Sequence, residues 1–375
     1  VERYRAARGL DVSLGFYAAA VVAFLSLAAA MSLREAWLTV ALALQLPALA
    51  AIGLRVPVRA IRVLAGIVAV IVIVRLVLNY NVLFYPHEGA FLWIVYGYGI
   101  PAAACFFAAS LFRRTADDML VTGLQAAALA FAVLLVSLEV RLFIAGSLAA
   151  QSYTLLEESV QSISWLAIGT GLALQDARRK SLVARYGSRI LLGVATIQVV
   201  LLQLISANPM ATGESVGTHM LIDTLTLAYL APAIFAFFFA ASARDPMFPW
   251  QRLVAAIAGI VLLLAYISFE VRHAYHGPVL TTPDHGDAEL YTYSVAWLVY
   301  GVVLLGAGMR TTQPLLRYAG LAILMLTSVK VFLVDMGDLT GLYRVASFLG
   351  LGLSLVGIGY LYQRFVNRVA TTKAG

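Results

Sequence analysis

The sequence predicts an all-α polytopic membrane protein of about twelve transmembrane helices arranged as repeated helical hairpins. Three observations carry that reading: an apolar composition, long apolar runs at helical-span length, and basic residues gathered on one side. Of 375 residues, 62% are apolar and 12% charged, with a mean hydropathy of +0.90; soluble domains average about 45–50% apolar and about 25% charged. An excess of this size means that lipid is the solvent, so the chain divides into spans rather than soluble domains. The single cysteine, Cys105, lies in an apolar run, which excludes an internal disulfide framework and any cysteine-based zinc or iron–sulfur centre. Val1 to Asp11 is polar and precedes a full-length apolar run, which is not the pattern of a cleavable signal.

A helix needs about 20 apolar residues to cross the hydrocarbon core. Such runs occupy 12–32, 36–53, 58–78, 90–112, 118–147, 153–175, 187–206, 221–242, 250–271, 291–309, 315–334 and 342–363. The second holds Gln45 and Pro47, and the sixth opens on Glu157 and Glu158. Connections are short, Arg272 to Glu289 being the longest, so no soluble domain is inserted. The alternating ten-residue segments of a β-barrel do not occur.

Lysine and arginine accumulate in cytoplasmic connections. With an even number of spans, 20 of the 26 basic residues fall on the side that holds both termini. This predicts a bacterial inner-membrane protein with both termini cytoplasmic. The net charge of +7 is then a topology signal that attracts anionic membrane lipids, and a nucleic-acid partner is excluded because no basic soluble domain exists.

An internal repeat organises the later spans. Ser137-Leu-Glu-Val-Arg141 reappears as Ser268-Phe-Glu-Val-Arg272, and Ser162-Ile-Ser-Trp-Leu166 as Ser294-Val-Ala-Trp-Leu298. Arg185-Tyr186 matches Arg317-Tyr318, Gln198 matches Lys330 and Gln203 matches Asp335, each 132 residues on. The expected organisation is therefore N-terminal hairpins over 1–117, a first four-helix repeat within 118–249 (helices 118–242) and a second within 250–375 (helices 250–363). Even-numbered spans also open on an aromatic residue with Gly or Ala four positions on: Trp37/Ala41, Trp93/Gly97, Trp165/Gly169, Tyr229/Ala233, Trp297/Gly301 and Phe348/Gly352. That spacing puts ring and small residue on one helix face, suited to anchoring at headgroup depth and close helix packing, or, for Trp165 and Trp297, to stacking on a ligand.

Odd-numbered spans carry a basic or amide side chain near their outer ends: Arg75, Arg141, Gln198, Arg272 and Lys330. Charge inside the apolar slab is costly unless paired, hydrated or able to snorkel. Glu139 and Arg141 are two residues apart, as are Glu270 and Arg272, and such pairs point to different faces of a helix and cannot close on themselves. The expectation is reciprocal pairing between copies, Glu139 with Arg272 and Glu270 with Arg141, or a shared polar cavity to which Lys330, Asp335 and Arg344 contribute. The candidate ligand-binding residues are thus Arg75, Glu139, Arg141, Glu270, Arg272, Lys330, Asp335, Arg344, Trp165 and Trp297.

All five histidines, His87, His219, His273, His276 and His285, fall on the outer side. His273, His276 and His285 with Asp284 or Asp287 have ligand chemistry for zinc, but without an HExxH or comparable spacing they read as solvated loop residues, and no metal ligand or cofactor is assigned. Walker A, GxGxxG and GxSxG signatures are missing, so nucleotide hydrolysis and hydrolase-elbow chemistry are not expected.

The C-terminal elements Lys330-Val-Phe-Leu-Val-Asp335, Gly341-Leu-Tyr-Arg344, Ser347-Phe-Leu-Gly-Leu-Gly352 and Gly357-Ile-Gly-Tyr-Leu-Tyr-Gln-Arg364 resemble the close of the domain of unknown function 2339 family of bacterial membrane proteins. The resemblance implies a polytopic inner-membrane protein of which this chain is the C-terminal portion, and it implies no activity or catalytic residue.

Two functional classes stay open, with a purely structural assembly role, alongside other membrane subunits, as a third. An outer cavity lined by Arg75, Arg141, Arg272, Lys330 and Arg344 would bind or transport an anionic small molecule or a lipid-linked headgroup. A membrane-embedded transferase acting on a lipid-linked glycan would use Glu139 or Glu270 as general base.

Overall fold

The computed structural model describes residues 10–32, 35–55, 58–78, 93–242, 250–282 and 286–335, with isolated positions between 345 and 357. It comprises two compact units, residues 1–201 and 202–375. Both are helical; among the described residues the one β-contact is an isolated antiparallel bridge, Ser215 to Val279.

The first unit holds α1 (Leu10–Ser32), α2 (Glu35–Arg55), α3 (Arg59–Val77), α4 (Ile100–Arg113), α5 (Met119–Ala145), α6 (Leu155–Arg179) and α7 (Leu182–Ile197). The second holds the single turn α8 (Pro209–Thr212), then α9 (Ala231–Ser242), α10 (Trp250–His276), α11 (Asp287–Arg310) and α12 (Pro314–Lys330). Among the described residues four π-helical stretches interrupt or extend these: Val95–Gly99, Gln198–Ser206, Thr226–Leu230 and Val331–Asp335.

Eight helices among the described residues are long and apolar enough to cross a membrane, against the twelve expected. The differences have separate causes. Expected spans one and eight are shorter apolar helices, Tyr17–Ala29 and Thr226–Ser242. The sixth is a 25-residue helix, α6, but Ser159, Gln161, Ser162, Ser164, Gln175 and Asp176 dilute its apolar character. The twelfth, 342–363, lies largely outside the described residues.

Lipid tails compete on equal terms for apolar side chains, so helices in this setting associate through close van der Waals packing rather than hydrophobic exclusion. The core of the first unit follows that rule: Ala43, Ala50, Ala65, Ala104, Cys105, Ala108 and Ala109 are buried where α2, α3 and α4 meet, with Leu46, Ile94 and Phe131 filling between them. In the second unit Ile260, Tyr300, Leu304 and Ile323 form the packed centre of α10, α11 and α12. Tyr300 stays buried because its hydroxyl donates to the Ile260 carbonyl at 2.9 Å.

The glycines four residues after the tryptophans serve packing. A Cβ on Gly169 would meet Leu192 Cγ at 2.9 Å, and one on Gly301 would meet Leu324 Cγ at 2.9 Å. Gly320, facing Gly301, is tighter: a Cβ there would lie 2.7 Å from the Leu305 nitrogen and 2.8 Å from the Gly301 carbonyl oxygen, both backbone atoms that cannot rotate away.

At the arginine-rich end of the first unit, Arg62 ties α3 to the α4–α5 turn. It pairs with Asp118 Oδ1 at 2.7 Å and donates to Thr115 Oγ1 at 2.8 Å and the Ala116 carbonyl at 3.1 Å. Asp118 also caps α5, accepting from the Val121 amide at 3.3 Å. The Arg62 guanidinium holds the Asp118 carboxyl below the usual carboxylate range.

Two outcomes follow from this packing. Gly320→Ala should destabilise the second unit by about 1–3 kcal/mol, the usual cost of overpacking, while Gly306→Ala, whose added carbon meets nothing within 4 Å, should be close to neutral; thermal unfolding in detergent micelles checks both. Because the folded pKa of Asp118 is lowered, its contribution is fully present above about pH 4 and disappears as pH falls through the folded value. The stability gap between the wild type and Asp118→Asn should therefore be measurable at neutral pH and close on acidification below that point.

Candidate functional site

The candidate site lies where α10 ends and α11 begins, and an equivalent arrangement occurs where α5 ends and α6 begins. In both places a helix stops on a left-handed glycine. Gly146 (φ 68°) donates to the Leu142 carbonyl at 3.0 Å, and Gly277 (φ 69°) to the His273 carbonyl at 2.9 Å. A residue with a Cβ is strained in this conformation, so glycine lets the chain turn back over the helix end.

The returning chain then meets an arginine from the finished helix. Arg141, 7% exposed, donates through Nη1 to both oxygens of Glu157 at 2.7 and 2.6 Å and to the Ser152 carbonyl at 3.1 Å. Its Nη2 reaches the Ala150 carbonyl, and its guanidinium lies 3.9 Å from the centre of the Tyr153 ring. Arg272, 2% exposed, donates through Nη1 to Glu289 Oε1 at 2.8 Å, through Nε to the Leu280 carbonyl at 3.2 Å and through Nη2 to the Thr282 carbonyl. Glu289 also meets His276 Nε2 at 2.8 Å and accepts from Tyr293 at 3.2 Å. Glu157 and Glu289 occupy the same position, the third residue of their helices, where free backbone N–H groups favour negative charge.

Other sequence-matched residues repeat their bonds. Trp165 Nε1 donates to Ser137 Oγ at 3.1 Å and Trp297 Nε1 to Ser268 Oγ at 3.0 Å. Gln198 Nε2 donates to the Glu158 carbonyl at 3.2 Å, and Lys330 Nζ to the Leu290 carbonyl at 2.8 Å. Lys330 also reaches Ser294 Oγ at 2.9 Å and Asp335 Oδ1 at 2.6 Å. On an α-helix residues five apart diverge; the π-helical turn Val331–Asp335 brings them onto one face and makes that ion pair.

The expected partnerships are corrected accordingly. Within its own unit each arginine takes the glutamate at the start of the next helix, Glu157 for Arg141 and Glu289 for Arg272. The reason is chain geometry, since the loop from Gly146 or Gly277 folds back and delivers that glutamate to the arginine's own face. Arg75 donates to Thr39 Oγ1 at 3.2 Å. Lys330 and Asp335 satisfy each other, and Arg344, His87 and His285 lie outside the described residues. Trp165 and Trp297 spend their indole N–H groups on the preceding helix. Sequence reasoning missed Glu157 and Glu289 as partners although they stand 132 residues apart like the rest of the repeat.

It also missed Asp223. A segment after α8 pairs with the α10–α11 loop, Val216 N donating to the Pro278 carbonyl at 2.9 Å, and this carries Asp223 to the side of α10. There Asp223 Oδ2 lies 3.1 Å from His273 Nδ1, which is 3.9 Å from Glu270 Oε2. The side chains of Asp223, Glu270 and His273 are 0%, 9% and 2% exposed. His273 is therefore not the solvated loop residue expected from sequence.

A family model described as predicted membrane protein (DUF2339) matches residues 3–365, far beyond the C-terminal motifs that carried the resemblance. No curated protein and no solved structure matches the chain. With a match along nearly its whole length and eight apolar helices able to span a bilayer, the chain belongs to the DUF2339 family of predicted membrane proteins.

Proposed function

We propose that the protein is a rigid membrane-embedded platform, built from duplicated four-helix units, that presents polar loops at the extracytoplasmic end, and that its buried outer-end cations are internal clamps. One observation carries this reading: each buried arginine is saturated inside its own unit by a carboxylate and loop carbonyls, Arg141 by Glu157, Ser152 and Ala150, and Arg272 by Glu289, Leu280 and Thr282. A guanidinium so engaged has few N–H groups left to recognise a phosphate or carboxylate. The clamps instead hold the loops in one shape. The matched bonds of Arg141 and Arg272, Trp165 and Trp297, and Gln198 and Lys330 support the duplication, which leaves 1–117 as a set of N-terminal hairpins. The arginine-rich ends of the helices support an inner-membrane orientation with cytoplasmic termini.

Binding or transport of an anionic solute or lipid-linked headgroup, and transfer from a lipid-linked glycan, both need a cation released from its clamp. They are accordingly the less supported readings.

A double-mutant cycle in the purified, detergent-solubilised chain tests the clamp. Arg272→Gln alone strands Glu289 and should cost about 3–5 kcal/mol; Glu289→Gln alone should also destabilise, and the double variant should recover a large part of the loss. Arg141 and Glu157 should behave in the same sense if the units are duplicates. Single variants that keep wild-type stability while losing binding to phosphatidylglycerol vesicles would replace the platform with an anion receptor.

A further inference from the structure

The arginines are neutralised, but a pair of carboxylates in the second unit is not. Glu270 is 8% exposed and His273 3%, so both are more than nine-tenths buried. Among the described residues neither Glu270 carboxylate oxygen has a hydrogen-bond partner, and neither does His273 Nδ1 or Asp223 Oδ2. The three residues converge: one ligand-type atom from each lies within 4.8 Å of the others. Tyr266 and the Leu221 backbone lie beside Glu270. Among the described residues the ion-pair contacts of both carboxylates are with His273, whereas the adjacent Arg272 is drawn to Glu289 and the loop carbonyls. Two buried negative charges facing one imidazole are costly, and protonating His273 offsets only one of them.

We propose that Asp223, Glu270 and His273 form a binding site for a divalent first-row transition-metal ion of the zinc class. One imidazole nitrogen with two carboxylate oxygens suits zinc, manganese or ferrous iron rather than a thiophilic ion. A dication cancels the two carboxylate charges while His273 stays neutral and offers Nδ1. Bonds of about 2.0–2.2 Å put neighbouring ligands of a tetrahedral ion about 3.3–3.6 Å apart; the separations from His273 Nδ1, 3.1 and 3.9 Å, bracket that range, and all three ligand atoms lie within 4.8 Å of one another. Asp223 is held for this purpose, because its other oxygen, Oδ1, accepts from the Thr226 amide at 2.9 Å and the Thr226 hydroxyl at 3.2 Å, the outer support expected of a ligating carboxylate. Three protein ligands leave a fourth position for water or an incoming group.

The test uses the full chain, purified in detergent, stripped with chelator and dialysed separately against zinc, manganese and ferrous salts. Elemental analysis should find about one equivalent of at least one of these metals per chain. Cobalt(II) loading should give the intense visible d–d bands of a tetrahedral site. Asp223→Asn and Glu270→Gln should weaken binding by more than about 100-fold, the most that loss of an outer-shell partner costs, and His219→Ala, on an exposed position, should bind normally. Should a variant fail to fold, the wild-type stoichiometry and cobalt spectrum decide alone. A folded wild type that retains none of the three metals, or metal binding unchanged in folded Asp223→Asn and Glu270→Gln chains, would overturn the assignment.

Discussion

The buried pairing of an arginine at the end of one helix with a glutamate in the first turn of the next is the constraint on which the rest of the polar architecture depends. A guanidinium in a low-dielectric interior must be neutralised and its N–H groups satisfied. Arg272 meets that demand with Glu289 and two loop carbonyls, and in doing so fixes the path of the chain between α10 and α11. The loop has to turn at Gly277 and present Leu280 and Thr282 toward the helix it has left. Glu289 gains in return, because Arg272 holds one of its oxygens and His276 the other.

Once that loop is held, its other contacts follow. The segment around Val216 pairs with Pro278, and Asp223 is carried to the face of α10 that bears Glu270 and His273. Because Arg272 is occupied by Glu289, it does not neutralise these carboxylates. The clamp and the proposed metal site are in this sense complementary: one cation is spent on shaping the loop, and the charge of the neighbouring acids is left for another to balance. The π-helical turn after Lys330 works on the same principle at shorter range, since the widened turn lets Lys330 meet Asp335 within one helix and pairs the two charges.

Packing of the helices rests on different physics. Between spans there is no water to exclude, so association is secured where backbones come close. Gly301 and Gly320 provide that approach in the second unit, and the alanine-rich faces of α2, α3 and α4 in the first. The aromatic–small pattern is therefore a packing device in which the tryptophans also hydrogen-bond to the previous helix.

Much of this was legible from the chain alone. Composition and run length determined a helical membrane protein, because burying a peptide group in lipid demands internal hydrogen bonding whatever the fold. The matched Ser-x-Glu-x-Arg segments and the glycine spacing were equally plain, being local patterns. What only the tertiary structure decided was who partners whom. Arg141 and Arg272 were visible as buried cations, but their partners come from beyond a reversing loop, and the direction of that loop depends on a left-handed glycine and on carbonyls that no residue identity records. Asp223 drew no notice for the same reason. It is one acid in a polar connection until the fold carries it to Glu270 and His273, and chemistry that depends on three-dimensional convergence has no signature in linear spacing.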